Sequence, residues 1–70
     1  LSKYRIIAGY DVDSAIFQFL KESEDPKNRI MISKEIERSK DLVVNHVRKL
    51  VAGNKIKEER LGKVKVYSVD

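Results

Sequence analysis

Between Asp41 and Ala52 the chain mixes apolar residues with side chains that bind through charge and hydrogen bonds. Wound as a helix, this stretch puts Val43, Val47, Leu50 and Val51 on one side. The other side presents Lys40, Val44, Asn45, Arg48 and, at one edge, Lys49. A short helix with an apolar back and a basic front, followed by a basic hairpin, points to insertion into a DNA groove. That chemistry is recognition, not bond making. The chain offers no nucleophile–base constellation and no Gly-rich phosphate loop, and it is too short to enclose a drug-sized pocket as well as a core. An enzyme, a cofactor and a small-molecule ligand are therefore not expected. His46 is the one histidine and there is no cysteine, whereas a metal site needs several such ligands. No metal is expected, and His46 is read as a buried or boundary residue at the helix edge. The carboxylate pairs Asp11/Asp13 and Glu58/Glu59 are assigned to helix capping and surface charge.

The elements that must hold this helix come from a chain of 70 residues, enough for one small domain. Such a domain buries only ~60 % of its unfolded surface, so its core is marginal. Without cysteine no disulfide can help, and dimerisation is the remaining source of buried area. The formal net charge of +4 is unevenly spread. Residues 1–26 hold three basic and five acidic side chains, net −2, while residues 27–70 hold twelve and six, net +6. Positive charge thus gathers around the helix and hairpin, as expected of a surface that meets phosphates. The bland alternative is an ordinary solvated surface. No apolar run approaches the ~20 residues of a membrane span, and a cytoplasmic location is the expectation.

In chain order, residues 1–10 include the apolar run Tyr4, Ile6 and Ile7 and are read as an N-terminal arm, a short strand or a frayed end. Residues 11–70 form the domain. Asp11-Val12-Asp13-Ser14 is a helix start, and Val12, Ala15, Ile16, Phe19 and Leu20 follow as one core stripe. Phe17 lies outside that stripe and, with the arm, is assigned to a dimer seam. Pro26 and an acidic loop end the helix. Arg29-Ile30-Met31-Ile32 reads as a three-residue strand paired with the later hairpin. Ser33 is taken to cap a short helix, Lys34–Arg38, with Ile36 buried and Glu35 and Glu37 outward. Arg38-Ser39-Lys40 forms a turn in which Ser39 caps the next helix, which stops near Gly53-Asn54. Arg38 itself is either a phosphate contact or an ion-pair partner of Glu35 or Glu37. From Ile56 the period changes to that of strands, with Leu61-Gly62 as the hairpin connection and Tyr67, Val69 and Ile56 facing the core.

This order, with Ile32-Ser33-Lys34-Glu35-Ile36, then Val43-x-x-His46-Val47-Arg48-Lys49-Leu50, then Ile56, Gly62 and Tyr67-Ser68-Val69, resembles the winged helix-turn-helix superfamily. Within it the likeness is to small prokaryotic regulators of the ArsR and MarR kind. It covers roughly residues 12–69. The abundance of Ile, Lys and Glu points toward a thermophilic source such as an archaeon or an archaeal virus. Two positions depart from the pattern. Asn54 stands where Gly is frequent, and Lys40-Asp41-Leu42 replaces a Ser/Thr-rich start to the recognition helix, so base contacts are not transferable from relatives. The resemblance implies an α+β fold of three helices with a small antiparallel sheet, made of the short strand and the wing hairpin.

It also implies a recognition helix, about 41–52, in the major groove and a wing, 57–66, on the backbone or minor groove. Asn45 then suits adenine and Arg48 guanine, each in bidentate fashion, and Val44 a thymine methyl. Lys34, Lys40 and Lys49 suit phosphates, as do Arg60, Lys63 and Lys65 around the wing tip. Asp41 would repel phosphate and is expected to cap the helix or restrain Lys40 or Arg48. Glu58 and Glu59 weaken the wing's field. The partner is double-stranded DNA and the expected state a homodimer, joined through Tyr4, Ile6, Ile7 and Phe17. The expected function is transcription regulation. Two alternatives are a protein-interaction module of a larger assembly, which Leu42 and Val44 favour and Arg48 and Lys49 oppose, and a non-specific architectural DNA binder, which would not need Asn45.

Overall fold

A computed structural model describes residues 11–69. Three helices precede a two-stranded antiparallel hairpin: α1 (Val12–Glu22), α2 (Arg29–Ile36), α3 (Lys40–Ala52), β1 (Lys57–Leu61) and β2 (Val64–Ser68). The layout is α+β and is consistent with that of a winged helix.

Local chemistry sets the boundaries. Asp11 caps α1, its carboxylate accepting from the Ser14 amide at 2.7 Å. That bond, more than any other influence, holds the Asp11 carboxyl below its ordinary range; His46 adds a smaller effect in the same direction. A depressed carboxyl stabilises the folded chain at neutral pH, and this contribution is lost as acid titrates the group. Ser23 ends α1, its hydroxyl donating to the Phe19 carbonyl at 2.6 Å.

The run 29–32 is not a strand. Asn28 accepts from the Met31 amide at 2.9 Å and caps α2 five residues before the expected Ser33 cap, so the helix starts at Arg29. Ser33 lies buried inside α2 and donates to the Ile30 carbonyl at 2.9 Å. The sheet partner expected of this run is instead Lys27, in an isolated bridge to Tyr67 with reciprocal amide–carbonyl bonds of 2.9 and 2.8 Å. The helix also ends early: Ile36 is its last residue and Glu37 adopts the left-handed conformation (φ 57).

Residues 37–39 make the whole connection to α3. Ser39 caps that helix, its hydroxyl accepting from the Leu42 amide at 3.2 Å. Ser39→Ala is expected to lower stability by about 1 kcal/mol, read as a fall of about 4–8 °C in thermal midpoint. Gly53 closes α3 and Asn54 takes the left-handed turn (φ 58). The hairpin connection is Gly62-Lys63, one place later than expected, because Leu61 pairs with Val64. Gly62 (φ 64), followed by a residue without positive φ, matches a type II′ turn, which favours Gly first.

The core lies where the helices meet. Ala15, Ile16 and Leu20 of α1, Ile32 and Ile36 of α2, and Val43, Val47 and Leu50 of α3 pack together and are closed by Ile56 and Tyr67. Val12, Phe17, Phe19, Val51 and Val69 are partly buried against them. Burial, and secondarily the charge of Glu58, holds the Tyr67 phenol above its ordinary range, so it stays protonated where the hairpin meets the helices. Among the described residues no helix is long and apolar enough to cross a membrane.

Candidate nucleic-acid interface

Burial of Val43, Val47 and Leu50 fixes the rotation of α3, and with it what the helix shows outward. Asp41, Asn45 and Arg48 are exposed and Val44 is half-buried. These four follow the spacing i, i+3, i+4, i+7, so they form one stripe opposite the core. With Arg29, the first residue of α2, they line an open depression of about 540 Å³. Arg29 is the site residue that sequence reasoning missed. The signal was Asn28: taken as a cap, it puts Arg29 at a helix start beside α3.

The stripe is also buttressed from behind. His46 Nδ1 lies 2.5 Å from Asp13 Oδ1, a half-buried contact tying α3 to the first turn of α1. Asp11 does the capping there, which leaves Asp13 for this role. A separation of 33 residues is beyond local pattern reading.

Lys40 and Lys49 are exposed toward opposite ends of α3, and Lys34 is exposed on α2. Asp41 restrains neither Lys40 nor Arg48: its side chain makes no hydrogen bond or ion pair among the described residues. The cap is Ser39 alone. Arg38 donates to the Glu37 carbonyl at 3.1 Å, a backbone contact in place of the proposed carboxylate pair.

On the wing, strand register puts Arg60 directly opposite Lys65. Like charges at facing positions repel, and two contacts relieve this. Arg60 Nε donates to the Gly62 carbonyl at 3.1 Å, holding the guanidinium at the tip. Lys65 Nζ lies 3.7 Å from Glu58 Oε1, so part of its charge is spent within the wing. Lys63, at the turn, is exposed. Leu61 and Val64, facing each other, are 57 % and 47 % exposed.

Of the residues assigned to a dimer seam, Tyr4, Ile6 and Ile7 lie outside the described residues. Phe17 is half-buried against the core and lines a shallow depression of about 340 Å³ with Asn54–Lys57 and Val69. Comparisons with protein-family models, with curated proteins and with solved structures give no match.

Proposed function

We propose that this chain is a winged helix-turn-helix protein that binds double-stranded DNA sequence-specifically and regulates transcription. The observation that carries the reading is the outward stripe of α3. Its back is locked into the core while Asn45 and Arg48, the two side-chain types that pair bidentately with adenine and guanine, are exposed with the half-buried Val44 beside them. Arg29, at the start of α2, lies beside the stripe, and the hairpin supplies Arg60, Lys63 and Lys65. In this role α3 enters the major groove and the wing lies on the backbone or minor groove. The resemblance to ArsR- and MarR-like regulators, a cytoplasmic setting and a homodimer that places two recognition helices about 34 Å apart belong to the same proposal. Sedimentation at micromolar concentration tests the dimer; a monomer alone removes that part.

The direct test is a gel-shift series with specific, random and no competitor DNA at two salt concentrations. Retention of one duplex against excess random competitor supports sequence-specific binding. Equal competition by all duplexes supports an architectural binder instead. Lys63→Ala is expected to weaken binding to every duplex alike and to make the slope of log K against log salt shallower by about 0.9, the value of one lost phosphate contact.

The exposed Leu61–Val64 pair at the wing tip favours a second reading, a protein-interaction module within a larger assembly. That reading expects no retarded duplex at either salt concentration.

A further inference from the structure

Asp41 sits at one end of a cationic stripe, and no side chain among the described residues pairs with its carboxylate. It is exposed on the first turn of α3, shares a stripe with Val44, Asn45 and Arg48, and lines the same depression as Arg29. Capping is done by Ser39, and no cation among the described residues pairs with the Asp41 carboxylate. Left unpaired in a complex, that charge opposes the phosphates on either side of the groove. A base edge that donates a hydrogen bond converts the same carboxylate from a liability into a contact.

We propose that Asp41 is a specificity-determining residue that accepts a hydrogen bond from the exocyclic amine of a cytosine in the major groove. The inference rests on the DNA-reading assignment of α3. Its chemistry is selective because guanine and thymine show that groove only acceptors as polar groups, which repel a carboxylate. Adenine offers an amine beside the acceptor N7, and cytosine offers the amine without an acceptor on its own edge. Position supports the choice. The N-terminal part of a recognition helix reaches base edges, and Asp41 is its second residue. From Asp41 to Asn45 is about 6 Å along the axis, and from Asp41 to Arg48 about 10.5 Å. At about 3.4 Å per base pair, the stripe spans roughly four consecutive pairs. The half-site it fits has cytosine at the Asp41 end, adenine or thymine in the middle for Asn45 and Val44, and guanine at the Arg48 end.

Selection from a randomised duplex library, followed by sequencing, tests this with the unaltered chain, Asp41→Ala and Asp41→Asn, alongside the affinity of each for random duplex. The unaltered chain is expected to select a motif containing that cytosine. Asp41→Ala should flatten preference at that position alone, by roughly 5- to 150-fold, while binding random duplex more tightly because a repulsive charge is gone. Asp41→Asn keeps the side chain's size and should turn the preference there from cytosine toward adenine. The inference is overturned if both variants select the unaltered motif and Asp41→Ala merely tightens binding to all duplexes equally. A chain that binds DNA but selects no motif overturns the sequence-specific reading itself, and this assignment with it.

Discussion

Arg48→Ala is expected to lower affinity for the preferred duplex by about 1–3 kcal/mol, while random duplex loses only the share due to one charge. The guanidinium is exposed on α3 and makes no ion pair or hydrogen bond among the described residues, so its donor fork remains available to a ligand. Truncation also leaves the fold nearly untouched, since Arg48 lies opposite the buried Val43–Val47–Leu50 face and surface changes stay within about 0.5 kcal/mol. Arg48→Lys separates the two roles of the side chain. Lysine keeps the positive charge but not the planar pair of donors that matches the O6 and N7 of guanine. It should therefore preserve the salt slope and random-duplex binding while losing most of the discrimination. Titrations of both duplexes at two salt concentrations distinguish these outcomes. Equal losses on specific and random DNA for both variants would argue that Arg48 contacts phosphate only.

The parts of this interface that were legible in the sequence are those governed by short-range periodicity. Val43, Val47 and Leu50 define the back of α3, and once that side is buried the helix has no freedom in what it presents: Asn45 and Arg48 must face outward. Ser39 and Asn54 were legible as a cap and a left-handed turn because their roles depend on side chains a few bonds away. The segment 29–36 was misread for an equally physical reason. Ile30-Met31-Ile32 is an apolar run, and a run of three carries no period that separates a strand from a buried helix. Ile30 and Met31 are largely exposed, so the apolar residues there do not mark the buried side. The true pattern is Ile32, Ser33 and Ile36 following the Asn28 cap, a helical stripe partly hidden by a buried serine whose hydroxyl is satisfied within its own helix. Ser33 suggested a cap because serine frequently serves as one. That error concealed Arg29 as a member of the site. The contact between His46 and Asp13, and the bridge between Lys27 and Tyr67, join residues distant in sequence and depend on the assembled fold.

Ile16→Ala is expected to be among the most damaging single changes, at about 2–5 kcal/mol. Ile16 is fully buried, at 0 % exposure, on the face of α1 that packs with α2 and α3. Its removal takes away apolar contact and leaves a cavity that α2 and α3 cannot both move to fill. A 70-residue domain has a stability of only about 3.5–10 kcal/mol, so the loss is a large share of the whole. At about 4–8 °C per kcal/mol, the thermal midpoint should fall by at least ~8 °C. Ile16 packs on the buried side of α3, away from the outward stripe, so the folded fraction of this variant should bind the preferred duplex with unchanged discrimination. Its apparent affinity falls only in proportion to the folded fraction, and saturating DNA should raise the midpoint by linkage. Thermal unfolding with and without duplex reads both effects. A stable Ile16→Ala variant that had lost discrimination would mean that α1 sets the orientation of α3 by more than packing, and would direct attention to the Asp13–His46 contact that joins the two helices.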